Sequence, residues 1–348
     1  MKRFFVTFFG LLTFLAVGTT ASSKAIPLNA TTASGTITME LDLSAHDINQ
    51  NARLWIPYPV SDADQSITNI SVKGDFAESA VYTDEKYSTS MLYAAWNKGA
   101  KSRKITFTFD VERKEVKKRL ISYENQQIPK EYEKYLVQSN LCPRDHRLKK
   151  LADEITAGRA TILDKVKAIY DWTCENTYRN PETQGCGFGN VYKLLKDPGG
   201  KCVDISSIFI ALARAAGVPA REIFGIRQGK KDMVDISKWQ HCWAEYYLPG
   251  FGWVPVDPAD VRKMMLKENL ELIDLKTKQY RDYFWSGIDP YRVKLGHGRD
   301  ITLNPAQKGN PINYLMYPFA QIGEKTLDWL DTEAFKYTVT YKKNKTHK

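Results

Sequence analysis

The expected fold class is α+β, an N-terminal antiparallel β-sandwich followed by a mixed core with a cysteine at a helix start and an antiparallel sheet. Apolar side chains alternate every second residue in two segments of the first third, and recur at three- and four-residue spacing after about residue 115. Strand-like stretches return near the end. With 348 residues, 43% hydrophobic and 12% aromatic, the chain can fill more than one core, which excludes global disorder.

The first 25 residues stand apart. Lys2 and Arg3 precede the apolar run "FFVTFFGLLTFLAVG", and small residues follow in "TTASSKA". A charged start, a short apolar stretch and a small-residue end make a secretory signal peptide, cut after Ala21 or Ala25. No later stretch has the roughly 20 apolar residues a membrane helix needs, so an exported protein, periplasmic or secreted, with no integral membrane segment is expected. The net charge of +10 falls to about +8 without Lys2 and Arg3. Its ordinary reading is a solvated basic surface, and its sharper one is attraction to acidic cell-envelope material or acidic substrates. Aromatic-interleaved basic motifs for nucleic acid are absent.

From residue 26 to about 115 the pattern is that of strands. "TITMELDLS" alternates Ile37, Met39, Leu41 and Leu43 with polar neighbours, and "KITFTFDVE" does the same with Ile105, Phe107, Phe109 and Val111. "RLWIPYPV" and "ITNISVKG" between them suit further strands of the sandwich. The core is expected over 116–290. There "IPKEYEKYLVQSN" and "ATILDKVKAIYDWTCENTYRN" suit helices, and the Gly-rich loop "TQGCGFGN" follows. After "NVYKLLKDPGGK" come the helix of "CVDISSIFIALARAAG" and the strands "QHCWAEYYL" and "GWVPVDP". From 291 to 348, "RDITLNP" and "FKYTVTYKK" suit strands packing on the core.

Chemistry gathers around Cys202. Ile205, Ile208, Phe209, Leu212, Ala213 and Ala216 trace one face of an amphipathic helix that ends at Gly217 and Pro219. Cys202 therefore sits at its N-terminus, where free backbone N–H groups and the helix dipole favour a thiolate and can hold an oxyanion. Gly199 and Gly200 are expected to let a substrate backbone approach. Among five histidines, His46 lies in the β-domain, His146 in a polar run, and His347 at the terminus. His297 suits a loop. His241 opens a strand whose alternation places it with Trp243, Glu245 and Tyr247. Asp257 follows the next strand and reaches the face of His241 only if the hairpin connection is odd in length, so an odd connection is predicted.

A cysteine at a helix start, a histidine on one strand and an aspartate after the next, in that order, resemble the transglutaminase-like superfamily of papain-like thiol enzymes. The resemblance spans about 130–260 and rests on "AIYDWTCENTYRN", "GGKCVDISSIFIALARAAGVPAREIFGI" and "QHCWAEYYLPGFGWVPVDPAD". It implies Cys202 as nucleophile, His241 as general base and acid, Asp257 as orienting carboxylate, and an upstream oxyanion donor for which Gln184 and Asn190 are candidates. The implied activity acts on peptide or glutamine amides of a peptide or protein substrate through a thioester. Hydrolysis is favoured over cross-linking, and a catalytically silent envelope-binding scaffold is the alternative.

Plainer readings stand beside these. Alone, Cys202 would be a buried structural thiol or half of a disulfide, His241 a core histidine, and Asp257 a turn residue. Zinc held by Cys186, Cys202, His241 and Cys242 is disfavoured, because no Cys-x-x-Cys exists and adjacent strand residues point to opposite faces. No cofactor or metal is expected. Cys186 could bridge Cys174 or Cys142, or line its loop, and Cys242 suits a small buried side chain behind the site. Trp239, Trp243 and Trp253 suit core or cleft-wall positions, with Trp243 and Trp253 as substrate-cleft candidates.

Overall fold

The computed structural model describes residues 31–122, 127–331 and 334–344, so the leader expected at 1–25 and His347 lie outside the described residues. The first six strands are β1 (Thr32–Asp42), β2 (Ala52–Pro57), β3 (Gln65–Gly74), β4 (Glu78–Thr83), β5 (Ser90–Trp96) and β6 (Lys104–Lys114), followed by the short β7 (Val116–Lys117). The middle of the chain holds α1 (His146–Ile155), α2 (Ile162–Asn176), β8 (Tyr178–Arg179), α3 (Val191–Leu194), β9 (Gly199–Gly200) and α4 (Cys202–Ala215). Next come β10 (Ala220–Arg227), β11 (Met233–Asp235), β12 (Gln240–Leu248), β13 (Gly252–Val256), α5 (Pro258–Glu268) and α6 (Leu275–Phe284). The end supplies β14 (Gly287–Ile288), β15 (Arg292–His297), β16 (Phe319–Ile322), β17 (Lys325–Thr326) and β18 (Tyr337–Lys343).

The alternating segments pair as their pattern requires. β1 and β6 run antiparallel with Ile37 opposite Phe109, Met39 opposite Phe107 and Leu41 opposite Ile105, so one face of the pair is apolar over these positions. That face meets Leu54, Ile56, Leu92, Ala94 and Trp96 of the second sheet in one core. The sandwich is larger than its N-terminal strands. One sheet has the order β11-β18-β1-β6-β3 and the other β17-β16-β2-β5-β4, so both recruit strands from beyond residue 230.

A four-stranded antiparallel sheet, β13-β12-β10-β15, carries the mixed core, with α4 packed against β10 and β12 and flanked by α1, α2, α3 and α5. Ile226, Val293 and Leu295 of this sheet reach into the sandwich core, which joins the two parts. α4 is buried on every side, not along one face as its apolar spacing suggested, because helices cover what the sheet leaves open.

Two local expectations change. The segment "IPKEYEKYLVQSN" forms a short 3₁₀ helix at Lys130–Tyr135 in place of a full helix. Pro129 precedes it, and its rings are held by stacking and edge-on contact: Tyr132 lies 3.6 Å from the Tyr247 ring and Tyr135 4.7 Å from that of Trp253. In "RDITLNP" only Ile301 makes a bridge, to Ile312, and the strand lies just upstream at Arg292–His297. His297, expected in a loop, ends that strand. The segment expected to pack on the core divides: β15 joins the core sheet, whereas β16, β17 and β18 join the sandwich.

Candidate active site

Cys202 is the first residue of α4, after Lys201 in extended conformation. Asp204, in the first turn, accepts from the Lys201 N–H at 3.2 Å and from the Gly189 N–H at 2.8 Å. The loop of Gly187 and Gly189, both at positive φ, is thereby clasped against the start of the helix. A Cβ on Gly200 would sit 2.4 Å from the Asp204 Cβ, so this glycine makes room for the helix start and not, as expected, for a substrate. Val203 donates its N–H to the Cys186 carbonyl at 3.0 Å. Among the described hydrogen bonds the Cys202 amide has no acceptor, which leaves it available to an oxyanion.

All five cysteines are free and buried, so none of the bridges considered for Cys186 is made. Burial pushes the Cys142 thiol up to about 11 and the Cys174 thiol up to about 12. Cys202 goes the other way. Hydrogen bonds from the Cys186 and Cys242 thiols, and then from His241, hold it well below the ordinary thiol range despite burial. The two donors move up, Cys186 chiefly through that bond and Cys242 chiefly through burial and then the bond. This cysteine is distinguished by its donors and its helix start, since its burial is shared with the others.

β12 and β13 are joined by Pro249–Phe251, an odd connection of the kind predicted, with Leu248 opposite Gly252 and Ala244 opposite Val256. Continued by one residue, this register carries Asp257 to the level of Trp243, on the face of His241. The His241 Nε2 lies 2.7 Å from Asp257 Oδ2, and both residues are buried. Asp257 is also the N-cap of α5, its Oδ1 accepting from the Asp260 N–H at 2.8 Å, with Pro258 as the first helical residue. One carboxylate thus caps a helix with one oxygen and orients an imidazole with the other, which leaves the second ring nitrogen for Cys202.

Sequence reasoning missed Arg292. This fully buried residue of β15 donates through Nη1 to Asp257 Oδ2, through Nη2 to Asp260 Oδ2 at 2.7 Å, and through Nε to Asp289 Oδ2 at 2.8 Å. Its Nη1 also lies 2.9 Å from the His241 Nε2. Arg227 of β10 stands directly opposite Arg292 across the sheet, a like-charge pairing that would repel on its own. Asp260 lies between them and takes both of its Arg227 bonds at 2.6 and 2.7 Å. Burial works against ionisation of Asp260, but Arg227, His241 and Arg292 hold its carboxyl well below the usual range. His241, Asp257 and Asp260 offer metal-ligand atoms within 4.8 Å of one another, yet the guanidinium already supplies the positive charge there. An alternating reading of "YRVKLGH" would have found the strand, but not partners far away in the chain.

Cys186, Cys202 and His241 line a cleft of about 1170 Å³. Its walls also come from β1 and β6 of the sandwich and from the segment around Trp329 and Tyr337, so it is shaped jointly by the sandwich and the core. The two residues expected to complete the oxyanion hole lie elsewhere. Gln184 and Asn190 line a smaller cavity of about 360 Å³ beside Asp204, and the Asn190 side chain caps α3. The tryptophan candidates are also displaced. Trp243 is fully buried among Val116, Ile223 and Ile288, while Trp253 packs on Tyr135 and under the Arg221 guanidinium, 3.9 Å from its ring. Trp239, 39% exposed, is the tryptophan of the three that reaches the cleft.

The family model described as transglutaminase-like superfamily matches residues 149–258. An uncharacterised protein of Haemophilus influenzae is 36% identical over 316 residues, covering 83% of this chain and 86% of its own. A protein-glutamine gamma-glutamyltransferase of Pseudomonas aeruginosa is 27% identical over 135 residues, 36% of this chain and 20% of that protein. A crystal structure from Cytophaga hutchinsonii, described as a candidate cysteine protease, has a TM-score of 0.54 at 17% identity, covers 90% of this chain and 99% of that one, and shares the fold.

Proposed function

Because the chain belongs to the transglutaminase-like superfamily, we propose that it is a thiol acyl-transfer enzyme acting on peptide or glutamine amides through a thioester on Cys202. The observation that carries this reading is a single one: a thiol held low at the start of α4, beside an imidazole whose Nε2 is bonded to a buried carboxylate.

In the first half-reaction the Cys202 thiolate adds to the amide carbonyl, and the oxyanion is held at the Cys202 N–H at the α4 start. His241, protonated, gives its proton to the departing amine as the C–N bond breaks and the thioester remains. In the second, neutral His241 takes a proton from the incoming nucleophile, which adds to the thioester. Collapse then returns the thiolate and protonated imidazole. Asp257 fixes the imidazole orientation and balances its charge, and Arg292 positions Asp257.

Water as acceptor gives hydrolysis, and an amine gives cross-linking. Hydrolysis is our first reading, since water needs no site of its own and the smaller cavity beside Asp204 shares no lining residue with the Cys202 cleft. Cross-linking is the second reading, supported by the segment similar to the glutamyltransferase of Pseudomonas aeruginosa. We further propose that residues 1–25 are an export leader, on the strength of the Lys2-Arg3 start and the apolar run after it.

The test is intact-mass analysis of protein incubated with a glutamine-containing peptide, with and without a dansylated diamine, alongside limiting iodoacetamide at pH 6. A Cys202 acyl adduct, absent in Cys202→Ala, together with preferential alkylation of Cys202, is expected. Release of ammonia without amine incorporation marks hydrolysis. If alkylation falls evenly on the five cysteines and no adduct forms, the silent scaffold replaces this reading.

A further inference from the structure

We propose that the cleft selects acyl donors carrying a carboxylate near the scissile amide, which Arg179 and Lys263 hold beside Cys202. The inference rests on the thioester reading and names the substrate class of that same site: acidic peptides.

Charge along the cleft is unbalanced. Seven lysines and arginines line it against two acids, Glu40 and Asp42. Asp42 already pairs with Lys104 at 3.6 Å, and Glu40 accepts from Thr338 on the sandwich side. Near the nucleophile, Arg179, Arg227 and Lys263 stand together. Lys263 is pushed down chiefly by the Arg227 guanidinium, then by burial, with Arg179 adding to it, and Asp260, already shared between Arg227 and Arg292, offsets this only in part. Arg227 is answered by Asp260, which also serves Arg292. Among the described residues no salt bridge answers Arg179 or Lys263, and like charges gathered in a half-closed site need an anion to offset them.

The reaction itself removes one such anion. In the resting chain the Cys202 thiolate faces Lys263 and favours its charged form. Once the sulfur is acylated it is neutral, and the cations beside it lose that compensation. An acyl group that brings its own carboxylate restores the balance in the thioester, where a neutral one does not. The preference therefore belongs to the acyl donor. The amine or water that follows is under no such constraint.

The test is calorimetric binding to the Cys202→Ala protein, which separates recognition from turnover. Five pairs of acetylated pentapeptide amides would differ only by Glu or Gln at one position, and a sixth pair by a free or amidated C-terminus. At least one pair is expected to favour the carboxylate about tenfold at low salt, less at high salt. Lys263→Gln and Arg179→Gln in the same background should each bring that ratio toward one, with the circular dichroism spectrum retained. Preference within the first five pairs identifies a side-chain carboxylate, and within the sixth a terminal one. Equal or absent binding in all six overturns the inference. Discrimination without any Cys202 adduct in the native protein would sink the thioester reading alone.

Discussion

Cys186 lowers the Cys202 thiol from outside the triad when its one proton, which also has the Gln240 carbonyl within 3.3 Å, is turned to the thiolate. Cys186→Ala removes that donor, so the pH midpoint for alkylation of Cys202 should rise and its rate at pH 6 should fall. An unshifted profile would assign the low thiol to Cys242, His241 and the helix start without Cys186. Asp257→Asn keeps a side chain able to cap α5 but removes the charge that balances imidazolium. Turnover should fall by roughly three to four orders of magnitude, the scale on which triads respond to loss of this carboxylate. Urea unfolding is the control that keeps the fold in view. Cys202, His241 and Asp257 were legible in the sequence through their order and setting, a helix start, a strand and the end of the next strand, together with the resemblance those carry. Cys186 and Arg292 were not legible, because what defines them is a partner 16 to 51 positions away.

At the scale of elements, the β12–β13 hairpin and β15 bring the site together. The three-residue connection sets the parity that turns Asp257 toward His241; period-two geometry says which parity that contact needs, and the fold supplies it. β15 is different: its place beside β10 is a tertiary choice, and it delivers a guanidinium into three carboxylates. Arg292→Met leaves those carboxylates buried without their cation, so a loss of about 3–5 kcal/mol in urea unfolding is expected. Arg292→Lys should recover part of it, since one ammonium cannot reproduce the fork. Equal stability of Arg292→Met and the native protein would mean that the carboxylates are balanced elsewhere. The fate of "IPKEYEKYLVQSN" shows the same limit. Its spacing suits a helix, but stacking on Tyr247 and an edge-on contact with Trp253 hold it as a short 3₁₀ helix.

Across the whole molecule, the last strand belongs with the first. β18 lies between β11 and β1, and Val339 and Tyr341 are 1% exposed. Removing residues 337–348 deletes both, forfeiting about 1.5–3 kcal/mol of burial for each side chain, and leaves the edge of β1 unpaired. Against a typical total of about 5–15 kcal/mol, the truncated protein should lose much of its stability, seen as a large fall in the urea midpoint. A truncated protein that unfolds like the full chain would show that β18 is dispensable. The cleft would suffer too, since Tyr337 and Thr338 form part of its wall. By itself the sequence determined the α+β class, the alternating strands of the sandwich and the helix that starts at Cys202, because each depends on short periodicities. Only the tertiary structure decided that C-terminal strands complete the sandwich, that Arg292 braces the carboxylates and that the cleft lies where the sandwich meets the core. Those features are made by burial and charge pairing between distant segments, and no local pattern records which distant segments will meet.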